Sequence, residues 1–498
     1  MPVRPRSRST WMGFVGLVGL AASGGCGAPA APPAPVRAGP AEVETALGAL
    51  IPQLLEASDV PGLAIALVRD DQVWVRGFGV ANAATRRPVT RETVFQAASL
   101  SKPVFAYAVM KLVDAGTLDL DRPLTAYLPG TYDVGPDPRL AQITARHALS
   151  HTTGFPNWRS GALAIQLTPG TQFSYSGEGL VYLAKVVEHL TGEPFERFMQ
   201  RTVLDPLGMT HSSFGPPANP AATADPHNTL GAPVPTRPPN RERNPAAGLY
   251  TTAADYARFV IAVWRGTGLS PASRAQMLTP QIQVIDGGPS SGRNSIERRD
   301  PKPRADLAWS LGWGLETTTG GTAFWHWGDN GDTKAFVVAL EQPQVAVIVF
   351  ANGANGLSIV REILAAALGI PQPAIDWLGL ESYNSPARVL AKAVRARGAT
   401  AALSDYRTSR SPRVPEPALN QLGYDLAAAH RMSDAIEILA QNAADHPDSW
   451  NVYDSLGEIY EMAGERDKAI ANYERSVAVD PTNRHGIEAL ARLRAAPQ

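Results

Sequence analysis

The apolar positions of this chain follow two periods, and the period changes twice along it. Glu42 to Ile51 repeats at helical spacing, whereas Gly62 to Val68 and Gln72 to Gly79 alternate or run apolar on either side of Asp70-Asp71, which predicts a hairpin. Val104 to Asp114, Gly179 to Thr191, Pro194 to Val203 and Ala253 to Trp264 read as helices. Strand patterns return at Ala323 to Trp327, Lys334 to Leu340 and Val345 to Ala351, followed by a helix from Ser358 to Leu368. Strands at both ends with helices between them predict an α+β fold. One antiparallel sheet unites the terminal strands, helices flank it, and a mainly helical subdomain is inserted. Pro-rich Gly215 to Pro245 and polar Ile285 to Arg304 fit neither period and read as long loops, the kind that form lids over active sites.

The far end carries a different signal. Leu422-Gly423 recurs as Leu456-Gly457, Ala435-Ile436 as Ala469-Ile470 and Pro447 as Pro481, each 34 residues on. This period and its residue types resemble tetratricopeptide repeats, helix pairs that bury their apolar faces by stacking. Another step back puts Val389 to Arg397 and Ala401 to Tyr406 in register as a degraded first repeat, and Gly486 to Leu493 supplies a capping helix. The expectation is an all-α solenoid over residues 386–495, joined by a linker over 371–385 to a domain spanning 42–370. The concave face of such repeats can take a protein or peptide partner; an array that only packs against its neighbouring domain is the alternative.

Composition narrows the classes of function. A chain of 498 residues with 44% hydrophobic content has ample material for several domains of ~150 residues. Lys+Arg 45 against Asp+Glu 46 leaves a net charge of -1, so no overall basic field exists to draw nucleic acid or anionic lipid. The single cysteine, Cys26, excludes an intrachain disulfide and a thiolate metal cluster. Arg4, Arg6 and Arg8 precede an apolar run from Trp11 to Ala22, then small residues up to Cys26, the layout of an export signal over residues 1–26. That run is 12 residues long, against about 20 needed to span a bilayer. Ser23-Gly24-Gly25-Cys26 resembles a bacterial lipoprotein cleavage site, which implies lipidation of Cys26; ordinary cleavage near Ala28-Pro29-Ala30 is the alternative. Either way residues 27–41 form a Pro/Ala spacer and the protein is expected in the periplasm or cell envelope, touching membrane only through a lipid anchor.

Candidate chemistry begins at Ser99-Leu100-Ser101-Lys102, after strand-like Thr93 to Ala97 and at the opening of a helix. A serine at a helix N-terminus meets unpaired N–H groups and the positive end of the dipole. Lys102 lies one turn on along the same face, and a crowded ammonium loses its proton more easily, so it can act as the base for Ser99. By itself Ser-x-x-Lys also fits a capped helix with a solvated lysine.

Further segments occur in an order that resembles the serine β-lactamases and penicillin-binding proteins, above all the class C, esterase-like branch. They are Ala98 to Pro103, Leu149-Ser150-His151-Thr152-Thr153-Gly154-Phe155, Pro169 to Gly177 with Tyr175 in it, Ala247 to Asp255, and His326-Trp327-Gly328. The resemblance implies that Ser99 attacks a carbonyl, that Lys102 and Tyr175 move its proton, and that the backbone N–H groups of Ser99 and Asp329 form the oxyanion hole. It implies that His326 faces the pocket to bond the substrate or the Tyr175 hydroxyl, and that Gly328 lets its strand approach the substrate. Gly177 stands where the family's segment has Asn, and His326 where many members have Lys, two departures that weaken recognition of a β-lactam amide and carboxylate. Trp158, Trp309, Trp313, Trp325 and Trp327 can line an acyl pocket or pack in the core. The reading is a serine hydrolase working without a cofactor on a small ester or amide, esters favoured. D-Ala-D-Ala carboxypeptidase, D-aminopeptidase or β-lactamase activity is the alternative, and an inactive peptide- or cell-wall-binding module is the rival. His147 and His151 have a helical metal-ligand spacing but lack the intervening Glu of a zincin, and no phosphate-binding Gly-Lys loop occurs.

Overall fold

The computed structural model describes residues 39–130, 132–159, 161–235, 244–289, 302–409 and 412–495. Cys26, the expected export signal and most of the spacer lie outside them. Pro40 and Ala41, assigned to the spacer, instead begin helix α1 (Pro40–Ser58): proline suits a first turn, and the Glu42 carboxylate reaches back to accept the Gly39 N–H at 3.0 Å.

The strands are β1 (Gly62–Arg69), β2 (Gln72–Asn82), β3 (Arg87–Pro88), β4 (Phe95–Ala98), β5 (Ser213–Phe214), β6 (Leu249–Thr251), β7 (Ile282–Ile285), β8 (Pro303–Trp309), β9 (Gly314–Thr318), β10 (Gly321–Asp329), β11 (Lys334–Leu340) and β12 (Val345–Ala351). Nine of them form one sheet in the order β3-β2-β1-β12-β11-β10-β9-β8-β7, antiparallel throughout. The expected hairpin is there, turned by Asp70 and Asp71 at φ of 49° and 65°, the left-handed pair such a tight turn requires. So is the junction of the two ends, with Leu63 opposite Ala351. A smaller sheet, β4-β6-β5, carries the segment before Ser99.

Both faces of the large sheet are buried. On β12, Val345, Val347, Val349 and Ala351 join one core with α1, α8 (Val360–Leu368) and α9 (Pro373–Leu378), while Ala346, Ile348 and Phe350 join the other. That second core holds α2 (Ser101–Asp114), α3 (Ala145–Leu149), α4 (Gly177–Thr191), α5 (Phe195–Met199), α6 (Ala253–Arg265) and α7 (Pro271–Met277). The helix expected over Pro194 to Val203 is only partly α: Gln200–Leu204 is a π turn.

Other expectations change. Ile285 and Pro303, read as ends of a loop, pair with each other in β7 and β8, and Arg304 lies within β8. Within the described part of Gly215 to Pro245, His227 is packed into the interior: it is fully buried, its Nδ1 2.9 Å from the Asn352 carbonyl and its Nε2 accepting the Ala83 N–H at 3.0 Å. The stretch 371–385 is no free linker either. Ala374, Ile375 and Trp377 of α9 are buried against the sheet, and the Trp377 indole donates to the Ile285 carbonyl at 2.7 Å.

The C-terminal region is helical: α10 (Pro386–Arg397), α11 (Ala399–Thr408), α12 (Glu416–Ala428), α13 (Met432–Asp445), α14 (Trp450–Met462), α15 (Arg466–Val479) and α16 (Arg484–Ala495). A side chain at Gly423 would come within 2.5 Å of Leu439, and one at Gly457 within 3.0 Å of Tyr473, so the same close helix contact recurs one period apart. The region is docked. Buried Asp425 accepts the Thr229 N–H at 3.0 Å and the Thr229 hydroxyl, Arg388 and Arg395 reach Asn355 and Asp59, and Lys392 caps the Glu56 and Ala57 carbonyls at 3.3 Å.

Candidate active site

Ser99 sits in the turn between β4 and α2, partly exposed among buried neighbours. Ala98 before it is left-handed, φ 49°, which swings the chain from strand into helix. Ser101 holds that turn, donating to the Ala98 carbonyl at 2.6 Å and accepting the Leu249 N–H of β6 at 2.9 Å. Lys102 is fully buried, and its Nζ lies 2.9 Å from Ser99 Oγ and 2.9 Å from the Ala246 carbonyl. Ala246 is aimed by Asn244, whose side chain accepts the Ala246 N–H at 2.8 Å. Burial without a carboxylate partner pulls the Lys102 ammonium down to about 7.

Tyr175 faces this pair, with Lys102 Nζ 4.8 Å from its ring centre. Its loop is fastened on both sides by His151, whose carbonyl accepts the Ser174 N–H at 2.7 Å and whose Nδ1 accepts the Ser176 N–H at 3.1 Å. The two rings lie 4.3 Å apart. Burial pushes the Tyr175 phenol well above its ordinary value, and the nearby Ser99 hydroxyl offsets part of this without forming a well-aligned hydrogen bond to it. His151, fully enclosed and near Lys102, is held well below the ordinary imidazole value.

His326, on β10, is buried and likewise held far below the ordinary value, first by burial and then by Lys102. The expected bond between His326 and the Tyr175 hydroxyl is not formed. Its Nδ1 faces the Trp327 carbonyl at 2.7 Å, its Nε2 has no partner, and the two ring centres are 6.2 Å apart. Gly328 has a backbone neighbour of its own: a side chain there would meet the Ala97 carbonyl at 2.5 Å, so the glycine seats β10 against the backbone leading to Ser99. Asp329 follows at once, and β9 pairs β10 only as far as Trp325, so the last residues of β10 form an edge on that side. Ser99, Lys102, Tyr175, His326 and Gly328 thus converge from the turn before α2, a loop and the sheet edge.

The departure at Gly177 has a steric cause. A side chain at this position would come within 2.5 Å of the Trp158 ring. Sequence reasoning grouped Trp158 with four other tryptophans; Trp309, Trp313 and Trp325 are fully buried, whereas Trp158 is 45% exposed beside Lys102. The Ala246 carbonyl was missed entirely, since a backbone acceptor leaves no mark in residue type.

A serine with a neighbouring amine able to take its proton can perform nucleophilic acyl transfer, and the surrounding fold is one that serine hydrolases use. The D-alanine carboxypeptidase AmpC from Burkholderia cenocepacia has this fold, at a TM-score of 0.56 and 21% identity over 66% of this chain and 99% of that one. A family described as Beta-lactamase matches residues 47–369, and the chain belongs to it. Esterase EstB of Burkholderia gladioli is 28% identical over 296 residues, 47% of this chain and 74% of its own. A β-lactamase of Pseudomonas fluorescens is 25% identical over 235 residues, 44% of this chain and 64% of its own, so the match spans a little under two thirds of that relative. These relatives support a serine hydrolase of this family and leave its substrate open.

Proposed function

We propose that the chain hydrolyses small esters, and amides less well, through an acyl-enzyme on Ser99. The observation carrying this is Lys102: its Nζ is 2.9 Å from Ser99 Oγ and, with a value of about 7, is about half free base in neutral solution. Lys102 takes the Ser99 proton as Oγ bonds to the ester carbonyl carbon. The N–H groups of Ser99 and Asp329 receive the developing oxyanion. The C–O bond to the alcohol then breaks and the proton passes to the departing alkoxide. Water repeats the cycle in reverse, releasing the acid. Tyr175, raised far above neutrality, stays a phenol and serves as hydrogen-bond donor, which leaves the base role to Lys102. His326 is neutral and supplies no fixed cation for a substrate carboxylate, which favours esters over β-lactams and D-alanyl peptides.

Around this core we propose a hydrolase domain over 42–370, export through residues 1–26 with lipidation at Cys26, and tetratricopeptide-type stacking of α10 to α16 that can hold a peptide partner. The repeated glycine contacts support the last point. Labelling with a fluorophosphonate probe tests the core reading: wild type should react and Ser99→Ala should not, and an unlabelled wild type would leave only a binding module.

A further inference from the structure

The space that a side chain at 177 would fill is taken by the Trp158 indole, whose ring atoms would lie 2.5 to 2.9 Å from it. This placement is built. Gly177 N–H donates to the Asn157 carbonyl and to the Asn157 side chain, both at 3.0 Å, so the residue before Trp158 is tied to the start of α4. The residue after it is tied there too: Arg159 donates from its backbone N–H and its guanidinium to the two oxygens of buried Glu178, each at 3.1 Å. An indole whose two flanking residues are tied down, yet which is itself 45% exposed, presents an apolar face to solvent. That face points into the site, since Lys102 Nζ lies 6.0 Å from its ring centre and 4.8 Å from that of Tyr175. Partly exposed Trp327 packs at a tilt against Tyr175, ring centres 4.7 Å apart. His151 and His326 are held neutral, Arg159 is paired with Glu178 and Asp133, and Lys334 is engaged by Asp329.

We infer that Trp158, admitted by Gly177, is the wall of an apolar subsite beside Ser99, and that the substrates are uncharged esters carrying an alkyl or aryl arm longer than acetyl. The inference rests on the hydrolase reading above and adds the substrate class to it. Each methylene covered on one side by an apolar wall is worth about two-fold in kcat/KM, so four of them amount to roughly 10-fold or more.

The full-length protein, Trp158→Ala and Trp158→Phe are assayed on two series. One is p-nitrophenyl esters from acetate to octanoate, which lengthens the acyl half; the other is acetate esters of alcohols of rising length. Fluorophosphonate titration counts working sites. In wild type at least one series should gain about 10-fold over four methylenes, and which one gains tells whether the acyl or the alcohol half lies on Trp158. Trp158→Ala should flatten that slope and Trp158→Phe should keep most of it. Two flat series in a fully labelled wild type overturn the inference even if no variant folds, as does an unchanged slope in labelled Trp158→Ala. A wild type that takes no label removes the hydrolase reading itself, and the subsite with it.

Discussion

Lys102 donates to the carbonyl of Ala246 at 2.9 Å, so the second partner of the amine beside Ser99 is a neutral oxygen. A carboxylate in that position would hold the proton on; a carbonyl orients the amine and leaves it free to deprotonate near neutrality. Activity requires the unprotonated form, so kcat/KM should fall about tenfold per pH unit below about 7 and level off above it. Lys102→Met should lose at least ~10²-fold in kcat while melting no lower than wild type, because it removes a buried amine and keeps the volume. A rate independent of pH between 5 and 8, at unchanged folding, would take the base role from Lys102.

Substrate preference follows from Trp158 over Gly177 and from neutral His326. A buried polar group left unpaired costs ~1–3 kcal/mol, and a β-lactam brings two, its amide and its carboxylate. p-Nitrophenyl butyrate should therefore exceed nitrocefin and a D-Ala-D-Ala peptide by about 10²-fold or more in kcat/KM. Efficient nitrocefin turnover would overturn the ester preference, and efficient release of D-alanine would redirect the enzyme to peptidoglycan.

Glu316 of β9 is 2% exposed; one of its oxygens accepts the Ala374 N–H of α9 at 2.9 Å, while the other has no partner. Burial lifts its carboxyl from 4.5 to about 8. The folded state thus holds a proton that the unfolded chain releases, so this stabilisation is complete below about 4.5 and is lost as pH rises through 8. Glu316→Gln should match wild type at pH 4 and melt higher at pH 9. Equal melting temperatures at pH 9 would show that the carboxyl is ionised in the fold without cost.

Truncation after residue 385 keeps α9 and cuts away α10 to α16. It frees Thr229 from Asp425 and bares Leu230, which packs against the apolar core of the C-terminal helices, but touches no group around Ser99. The shortened chain should hydrolyse small esters at near full rate with a melting temperature several degrees lower. A folded but inactive product would mean that the C-terminal helices help to shape the site.

The sheet's centre was legible because both its faces are covered: runs such as Val345–Ala351 are apolar at every position, the mark of a doubly buried strand. Strands β7 to β9 were not, because Pro303–Trp309 opens with a proline and mixes charged residues with alanines and Gly314–Thr318 ends in threonines, composition that a loop shares. At the site, Ser99, Lys102, Tyr175 and His326 were readable from type and order, since their chemistry resides in side chains. The tautomer and partner of His326, the seating role of Gly328 and the indole over Gly177 were not. Each depends on which distant backbone or ring arrives alongside, and that is settled only when the sheet closes.

That closure has a consequence for how the chain is made. β1 pairs on one side with β2, a few residues on, and on the other with β12, where Leu63 meets Ala351. During synthesis the hairpin can form at once, but its other flank, a wholly apolar strand, waits until nearly the entire hydrolase domain has emerged. Through that interval an unpaired, hydrophobic strand edge is open to wrong partners. The nascent chain's need for protection is therefore greatest just before β12 emerges, while the C-terminal helices are still to be made.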